Sequence, residues 1–401
     1  MNRLKTLMAA AALTALAVPA AAQTNVKIGI LSDMSSLYTD LAGAGSVLAA
    51  RMAAEDFGAA AKGFKVDFVS ADHQNRADVG SNVARQWYDV DGVDVIVDTP
   101  NSAVALAVND ITKQKNKAFL VSGAATAALT GAACTANTVH WTYDTWALAN
   151  GTGRAIVQSG GDSWFFLTAD YAFGHALEAD TAAVVNQLGG KVLGAVRHPL
   201  NTNDFSSFLL QAQSSRAKIV GLANAGGDTT NSIKQAAEFG IVRRGQNLAG
   251  MLIFLTDIHG LGLETAQGLI FTEAFYWDQN DASRAFARRF AAANKGIHPT
   301  MVHAGVYAAT LHYLKAVEQT KSAKDGAAVV AKMKDMPTDD PLFGKGTIRK
   351  DGRKIHDMYL FEAKKPSESK GAWDYYKVRA TIPAAQAFRP LADGKCPLVG
   401  G

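Results

Sequence analysis

Residues 119–131, with the sequence FLVSGAATAALTG, combine a short apolar run, a group of small and hydroxyl-bearing residues and the start of a helical pattern. This order predicts a buried strand that leads into the N-terminus of a helix. Residues 122–125 carry small side chains or none, so a ligand could approach their backbone closely. Free N–H groups at such a turn favour an anion, and Thr126 adds a hydroxyl group at the expected cap. An ordinary strand-to-helix turn would have the same pattern.

The composition is that of a well-packed globular protein. The chain has 401 residues, of which 48% are hydrophobic and 19% charged, which suits two or three domains and excludes a disordered chain or a membrane bundle. The formal net charge of +4 includes Arg3 and Lys5 in a segment that we expect to be removed, which leaves +2. Such a small excess does not indicate binding to nucleic acid or to a membrane surface.

Residues 1–22 form a predicted signal peptide. A basic start is followed by an apolar centre at residues 7–18, by Pro19 and by a run of small residues at 20–22. This order is typical of a secretory signal with cleavage before Gln23, and the apolar centre is short for a membrane span. The sequence has no cysteine near the cut that could carry a lipid. We therefore expect a soluble, exported protein located in the periplasm.

Cys134 and Cys396 are the two cysteines of the sequence. In an oxidising compartment, two lone cysteines of a large protein are expected to pair. We therefore predict a disulfide that ties the C-terminal tail to the region after residues 119–131. Neither cysteine has a second ligand at a metal-like spacing, so the sequence predicts no metal site and no cofactor.

Short apolar strands alternate with helical patterns in two successive series. The predicted strands are 26–31, 64–71, 93–98 and 119–121 in the first series, and 163–168, 191–196, 218–222, 248–254 and 269–272 in the second. Between the two series, 139–143 is predicted as a short strand or crossover, and 144–159 as a helix. This alternation predicts parallel sheets with helices on both faces. Tyr38, Ser102 and Thr126 each follow a strand of the first series, so we expect them at the sheet edge where ligands bind.

The last third of the chain is predicted to complete both sheets. Helical segments are predicted after Glu273 at 283–294, 301–320 and 326–333, and strand-like segments follow at 346–349, 357–362 and 373–378. We expect the late helices to cover the first sheet and the late strands to extend the second. The sequence thus predicts an α/β protein of two lobes with three interlobe crossings: lobe 1 from 23–142 and 276–337, lobe 2 from 143–275 and 338–380, and a C-terminal tail at 381–401.

Taken together, these segments resemble a known family. The signal peptide, Tyr38, Ser102, the SGAAT sequence at 122–126, DYAFG at 170–174 and GGDTTNSIKQAAEFG at 226–240 are similar to those of the periplasmic solute-binding proteins of branched-chain amino acid ABC transporters, the Leu/Ile/Val-binding type. The likeness covers essentially the whole mature chain. It implies the periplasmic binding protein type 1 fold, with two hinged lobes that close around a ligand.

The resemblance also implies which residues hold the ligand. In that family the first lobe grips a carboxylate through a serine hydroxyl, backbone groups and a threonine hydroxyl, which correspond to Ser102, Ala124, Ala125 and Thr126. These groups are donors suited to the acceptor sites of a carboxylate. An aromatic residue of the first loop covers the ligand, which implies Tyr38.

The second lobe departs from the family pattern at one position. The family closes its cleft with a tyrosine that precedes a glycine, whereas this chain has Phe173 before Gly174, with Tyr171 two residues earlier. The departure removes a hydroxyl group and makes the expected wall of the cleft more apolar.

Two aspartates leave the kind of ligand open. An acidic residue of the second lobe receives the ligand ammonium group in the family, and Asp257 is the best match by position, with Asp228 as a further candidate. Both could instead serve as helix caps, in which case the ligand would have no amine. The many aromatic residues near the predicted cleft would suit a benzoate-like or cinnamate-like acid: Tyr38, Trp141, Tyr143, Trp146, Tyr171, Phe173 and Tyr276. The TYDTW and DYAFG sequences are similar to the aromatic-acid subset of the family.

Enzyme motifs do not occur in the sequence. It contains no nucleophile elbow, no phosphate-binding loop and no metalloprotease helix, so we expect a binding protein without catalytic residues. A hydrolase built on dispersed serine, histidine and aspartate side chains is the least favoured alternative.

The sequence therefore predicts the extracytoplasmic substrate-binding component of an ABC transporter. It would act as a monomer, capture a small carboxylate ligand and deliver it to a permease in the inner membrane. A branched-chain or other hydrophobic amino acid is the first expected ligand, and an aromatic acid is the alternative. A receptor module that senses the same ligand is a further alternative, because both uses need the same closed form.

Overall fold

Two parallel sheets form the framework of the molecule. The structure is a computed structural model, and it describes residues 23–399; the predicted signal peptide lies outside these residues. The first sheet has the strand order β2-β1-β3-β4-β5, and all its strand pairs are parallel. Its strands are β1 (Thr24–Ser32), β2 (Phe64–Asp72), β3 (Val95–Asp98), β4 (Ala118–Val121) and β5 (Thr138–His140).

The second sheet repeats this parallel arrangement with the order β7-β6-β8-β9. Its strands are β6 (Ser163–Ala169), β7 (Lys191–His198), β8 (Ile219–Ala223) and β9 (Asn247–Gly250). The α/β fold class predicted from the alternating pattern is confirmed.

Helices follow most of these strands and cover the sheets. In chain order they are α1 (Gly43–Phe57), α2 (Ala77–Asp89), α3 (Ser102–Gln114), α4 (Thr145–Leu148), α5 (Arg154–Gln158), α6 (Ala172–Gln187), α7 (Ser206–Ser214), α8 (Gly227–Glu238), α9 (Leu255–Leu261), α10 (Leu263–Ala266), α11 (Asp281–Ala293), α12 (Met301–Thr320), α13 (Gly326–Asp335) and α14 (Ala384–Ala387). None of the helices among residues 23–399 combines the length and apolar character needed to cross a membrane.

The alternation of side chains along the strands distributes the core over both faces of each sheet. In β3, Val95 and Val97 join the core formed with α1 and α12, whereas Ile96 joins the core under α2 and α3. In β6, Trp164 likewise joins the core that contains Val95 and Val97, whereas Phe165 joins a separate core on the other face of the second sheet. Successive side chains of a strand point to opposite faces, so these strands bury nearly every residue.

The late strands do not extend the second sheet as expected. They form antiparallel pairs instead. Short connections without an α-helix join β11 to β12, β12 to β13 and β14 to β15, and connections of this kind suit antiparallel pairing. One sheet has the order β10-β14-β15 and another the order β11-β12-β13. The strands are β10 (Ile270–Glu273), β11 (Thr338–Asp340), β12 (Gly344–Ile348), β13 (Lys354–Ile355), β14 (Met358–Ala363) and β15 (Tyr376–Ile382).

The late helices lie against the first sheet as expected. Helix α12 packs on α1, and α12 and α13 both contact β4. These contacts support the assignment of residues 276–337 to the first lobe, while the division into lobes and crossings stays a prediction.

Two further sequence-based expectations have clear outcomes. The predicted disulfide is confirmed, since Cys134 and Cys396 are joined. The helix expected after the strand at 118–121 is wrong in extent, because only the four-residue 3-10 turn Ala127–Thr130 forms there. Gly131 and the loop that follows it end this turn before a second helical turn can form.

Candidate functional site

Aromatic side chains from both sheets close a small chamber beyond the C-terminal ends of the strands. Its remaining free volume is about 10 Å³, so a ligand can enter only if the two sides separate. The lining is almost entirely apolar: Tyr38, Leu41, Pro100, Gly123, Ala125, Tyr143, Tyr171, Phe173, Ala225, Leu252 and Phe254. We call this space the aromatic chamber.

Tyr38 and Tyr171 meet across the chamber. Their hydroxyl oxygens lie 2.6 Å apart, one on the loop after β1 and the other at the residue before α6. Burial and the neighbouring Tyr171 raise the pKa of Tyr38 well above its usual value. Both hydroxyls therefore stay neutral, and the pair joins the two sides of the closed cleft.

The loop that carries Tyr38 is ordered by a buried carboxylate. Asp33 follows β1 and accepts hydrogen bonds from the backbone N–H groups of Ser36 (2.9 Å) and Tyr38 (2.7 Å). The side chain of Asn75 adds a third donor at 2.7 Å. An aspartate at a strand end that binds backbone groups a few residues later is a common turn former, and here it fixes the position of the ring.

The turn at residues 122–126 forms the floor of the chamber. Gly123 and Ala125 line the chamber, and among the described residues no acceptor meets the N–H groups of Gly123, Ala124 or Ala125. Their surroundings are fixed, because the carbonyl of Ala125 accepts from the N–H of Thr145 at 2.8 Å. Buried N–H groups without a partner are rare in folded proteins. This floor is therefore suited to an anionic ligand.

Two hydroxyl groups flank this turn. Ser102 is the first residue of α3, and its Oγ accepts from the N–H of Thr126 at 3.2 Å. Oγ1 of Thr126 accepts from the N–H of Ala128 at 3.3 Å. Because each hydroxyl oxygen accepts in these contacts, each keeps its own proton for donation to a ligand. The structure thus brings Ser102, Ala125 and Thr126 together. Of these three residues only Ala125 lines the chamber, and the two hydroxyl groups lie behind its floor.

Ala124 contributes to the site through its backbone. Its side chain is buried in the core beneath α2 and α3, and its carbonyl accepts from Nε2 of His140 at 2.7 Å. Burial lowers the pKa of His140, so the ring is neutral and donates its one N–H group here. This bond fixes the peptide that precedes Ala125.

Tyr143 forms part of the wall and also supports the floor. It is fully buried, and its hydroxyl group donates to the carbonyl of Gly123 at 2.6 Å. Its ring packs edge-on against Phe254, with the ring centroids 6.1 Å apart. Gly123 has no room for a side chain, since an added Cβ would lie 2.8 Å from Pro100.

Strained backbone lies directly before Pro100. Asp98 and Thr99 have φ angles of 79° and 63°, a region that residues other than glycine rarely adopt. Burial raises the pKa of Asp98 to about 6, and its Oδ2 accepts from the hydroxyl group of Ser32 at 2.8 Å. Backbone strain of this kind is concentrated at functional sites.

Phe173 lies in the chamber wall, as the sequence suggested. It is 2% exposed, and its ring centroid is 5.9 Å from that of Tyr171. Together with Phe254, which follows β9, the second side of the cleft therefore has two phenyl rings and one phenol ring in the chamber lining.

Asp228 binds the loop between β7 and α7. Its carboxylate accepts from the N–H groups of Asn201 (3.3 Å) and Thr202 (3.0 Å). Burial raises the pKa of Asp228 to about 7, although both backbone donors favour the charged form. The residue is therefore a loop anchor and does not line the aromatic chamber.

Asp257 caps the start of α9. Its Oδ2 accepts from the N–H group of Phe254 at 2.9 Å, the residue just before the helix. Burial raises the pKa of Asp257 to about 7, and Asp40 on the opposite side adds to this shift. Like Asp228, it does not line the chamber.

Both aspartates instead line a polar cavity of about 360 Å³ at the outer end of the cleft. Asp40, Asn231 and Lys234 also line it, and Leu41 separates it from the aromatic chamber. We call this space the polar mouth. The cleft thus has an apolar interior and a polar entrance.

Sequence reasoning missed part of the lining and included residues that lie elsewhere. Leu41, Pro100, Leu252 and Phe254 were not identified, although Pro100 directly precedes the Asn101–Ser102 helix start. Three aromatic residues suggested for the cleft do not line the chamber: Trp141, Trp146 and Tyr276. Tyr276, for example, stacks on Tyr376 with the ring centroids 4.6 Å apart.

Among the described residues no group of three or more histidine, cysteine, aspartate or glutamate side chains could hold a metal ion. The groups that line or flank the chamber are backbone N–H groups, hydroxyl groups and aromatic rings.

A cleft closed by aromatic residues between two α/β sheets, with backbone donors at its floor, defines the class of two-lobed solute-binding proteins. The chain belongs to the periplasmic binding protein family, whose pattern it matches over residues 25–372. This confirms the resemblance seen in the sequence and makes the protein a periplasmic binding protein of the ABC transporter type. Such proteins bind small solutes and work with membrane permeases.

Two solved structures and one curated relative are similar over much of the chain. A periplasmic binding protein from Burkholderia mallei is 53% identical, with a TM-score of 0.90 over 93% of this chain and 99% of the other. A branched chain amino acid ABC transporter periplasmic ligand-binding protein from Burkholderia xenovorans is 42% identical, with a TM-score of 0.82 over 94% of this chain and 100% of the other. The Leu/Ile/Val-binding protein homolog 6 of Brucella melitensis is 28% identical over 66% of this chain and 68% of its own.

Proposed function

We propose that this protein captures a small hydrophobic carboxylic acid, with aromatic acids as the preferred class, and delivers it to an ABC permease. The ligand carboxylate binds the turn at 124–126 together with the hydroxyl groups of Ser102 and Thr126. The ring or alkyl part lies between Tyr38, Tyr171 and the other rings of the aromatic chamber. Closure of the two sides around the ligand gives the form that the permease recognises.

The observation that carries this proposal is that, among residues 23–399, no carboxylate lines the chamber. An α-amino acid needs an acceptor for its ammonium group, because a buried charge without a partner is costly. Asp228 and Asp257 bind backbone N–H groups and line the polar mouth. Aromatic walls and a floor of donors match an acid without an amine.

A branched-chain amino acid is the second candidate. Asp257 lines the polar mouth, which shares Leu41 with the lining of the aromatic chamber. The similar Burkholderia xenovorans protein is described as a branched chain amino acid ABC transporter periplasmic ligand-binding protein. In this alternative the ligand would extend from the turn to the polar mouth, and Asp257 or Asp228 would receive its ammonium group.

A ligand screen distinguishes the two candidates. The mature protein, refolded to remove bound solute, would be heated with benzoate, 4-hydroxybenzoate, cinnamate, leucine, valine or phenylalanine. A ligand at one hundred times its Kd stabilises the folded state by about 2.7 kcal/mol, which shifts melting by several degrees. We expect shifts with the aromatic acids. Shifts with the amino acids alone would support the second candidate, and no shift with either group would contradict carboxylate binding.

A further inference from the structure

The C-terminal residues 384–396, which we call the C-terminal strap, cross from the late strands to the ligand-binding turn. The N–H group of Ala384 donates to Oδ1 of Asp357 at 2.7 Å. Nδ2 of Asn150 then donates to the carbonyl of Gln386 at 2.8 Å. The strap is thus attached to the segments that flank the second sheet before it reaches the turn.

A buried arginine holds the middle of the strap. The guanidinium of Arg353 lies 4.5 Å from the ring centroid of Phe388, and both side chains are buried. Arg353 also donates to the carbonyl of Tyr143 at 3.0 Å. A cation over an aromatic ring in a water-excluded site is a stabilising contact, so Phe388 links the strap to the wall of the chamber.

The next residue, Arg389, contacts the ligand-binding turn itself. Its Nη2 donates to the carbonyl of Ala127 at 3.1 Å, one residue after Thr126. Its own carbonyl accepts from Nη1 of Arg349 at 2.7 Å. An added Cβ at Gly131 would lie 2.8 Å from Nη2 of Arg389, so the side chain packs tightly against the loop that follows the turn.

Ala127 is held from its other side by the helix start after the chamber wall. Its N–H group donates to Oγ1 of Thr145 at 3.1 Å, and this hydroxyl group donates to Oδ2 of Asp180 at 2.6 Å. Burial raises the pKa of Asp180, and the nearby Arg389 opposes that shift. Arg389 therefore lies close to both a residue of α6 and the turn.

The disulfide keeps the strap in this place. Cys396 is joined to Cys134, which lies three residues after Gly131. A covalent link restricts the conformations open to the segment before it. Without the link, the strap would depend on its few polar contacts and on Phe388 alone.

We propose that Arg389 is a positioning residue for ligand binding and that the Cys134–Cys396 disulfide keeps it against the turn. Arg389 fixes the carbonyl group of Ala127, which belongs to the Ala127–Ala128 peptide. It thereby holds the preceding turn, with its free N–H groups at 123–125, in the geometry that a carboxylate needs. The benzoate part of the test below rests on the proposed function, whereas the exchange part does not.

Three variants test this role: Arg389→Ala, Arg389→Lys and the double change Cys134→Ser/Cys396→Ser. The matched control is Arg379→Ala, which removes an exposed arginine paired with Glu362 at 3.1 Å. We would measure benzoate affinity by calorimetry, thermal unfolding, and amide hydrogen exchange of residues 124–130 without ligand.

We expect Arg389→Ala to raise the Kd about tenfold, as for the loss of one charge-assisted hydrogen bond. It should also speed amide exchange at 127–129. Arg389→Lys should recover part of the wild-type affinity and part of the wild-type protection from exchange. Arg379→Ala should change neither the affinity nor the exchange rates. The Cys134→Ser/Cys396→Ser variant should also raise the Kd and speed amide exchange at 127–129. In that background, adding Arg389→Ala should change both quantities less than it does in wild type.

Wild-type exchange and wild-type affinity in Arg389→Ala would overturn the proposal. If wild-type protein does not bind benzoate, the proposed function fails, and the exchange rates at 127–129 still decide whether Arg389 positions the turn. If Arg389→Ala lowers the melting temperature but leaves amide exchange at 127–129 unchanged, Arg389 stabilises the fold in general and does not position the turn. This result would also overturn the proposal.

Discussion

At the scale of single residues, the proposed site includes two hydroxyl groups that accept one hydrogen bond from the protein and keep a proton to donate. Ser102 and Thr126 both do this, toward the N–H groups of Thr126 and Ala128. The sequence predicted these two residues, because small and hydroxyl-bearing residues follow two neighbouring strands. It could not predict Asp33 as the organiser of the Tyr38 loop, since an aspartate after a strand has many possible partners.

Removal of one of these hydroxyl groups should weaken ligand binding. We expect Thr126→Ala to cost roughly 1.5–3 kcal/mol of binding free energy, the range for a hydrogen bond to a charged group. Thr126→Ser keeps the hydroxyl group and serves as the matched control. Calorimetric titration with the best ligand of the screen would measure both, and equal affinity of Thr126→Ala and wild type would show that the carboxylate binds elsewhere.

Asp257 should make stability depend on pH. Its folded-state pKa of about 7 lies above the ordinary 3.8. Between about pH 4 and 7 the folded chain therefore keeps a proton that the unfolded chain releases, so the free energy of unfolding falls as pH rises. Asp257→Asn removes this fall in the free energy of unfolding with pH, and its side-chain oxygen can still accept from the N–H group of Phe254 at the start of α9. Its stability relative to wild type should rise across that window by up to about 4 kcal/mol.

Urea unfolding from pH 4 to 8 would measure this difference. Asp110→Asn is the control, because Asp110 is exposed at the surface of α3 and its replacement should leave the profile of wild type nearly unchanged. A difference between Asp257→Asn and wild type that does not vary with pH would contradict the raised pKa.

At the scale of elements, the helix that leaves the chamber wall is interrupted. Residues 145–148 and 154–158 are α-helical, whereas Ala149–Gly153 form a π-helical turn. The sequence predicted one helix at 144–159 and could not predict this turn, because it depends on packing: Thr152 Oγ1 and Thr272 Oγ1 lie 2.9 Å apart. Turns of this type occur preferentially at functional sites.

Gly151 should be essential to this packing. An added Cβ would lie 2.3 Å from Oγ1 of Thr272, so Gly151→Ala should reduce the free energy of unfolding by about 1–3 kcal/mol. Gly260 lies in helix α9 with no heavy atom within 4 Å of an added Cβ, and Gly260→Ala should be neutral or stabilising. Chemical unfolding of the two variants tests the contrast, and equal effects would contradict it.

The same dependence on long-range packing explains which elements the sequence predicted well. Helix α12 at 301–320 agrees with the predicted range, and every strand of the two parallel sheets overlaps a predicted strand. The run at 269–272, predicted in the second series, instead forms β10 of an antiparallel sheet. The partners of the late strands were not found, because similar short patterns suit parallel and antiparallel pairing. The polar partners of Asp228 and Asp257 lie outside any local pattern, so their roles also needed the structure.

At the scale of the whole molecule, the proposed function requires closure of the cleft. The closed form brings the loop of Tyr38 against the start of α8, and an added Cβ at Gly226 would lie 2.5 Å from the carbonyl oxygen of Leu37. Gly226 is followed by Gly227, so both sides approach with little side chain between them. A ligand can stabilise this form only if it binds the closed state more tightly than the open one.

Gly226→Ala should therefore oppose closure. Gly262→Ala is the matched control, because Gly262 also has a positive φ (73° against 58°) and an added Cβ there meets no heavy atom within 4 Å. We expect both changes to lower stability, but only Gly226→Ala to weaken ligand binding. Affinity measurements on the two variants decide this, and equal loss of affinity would show that backbone strain rather than closure is responsible.

The measurement that tests the central claim most directly is a calorimetric comparison of benzoate, benzamide and leucine on ligand-free protein. Benzamide has the same ring but lacks the carboxylate, and leucine has the carboxylate but adds an ammonium group. We predict that benzoate binds at least about tenfold more tightly than either of the others, as expected for charge-assisted hydrogen bonds without an unpaired ammonium. Tighter binding of leucine, or equal binding of benzamide and benzoate, would contradict the account.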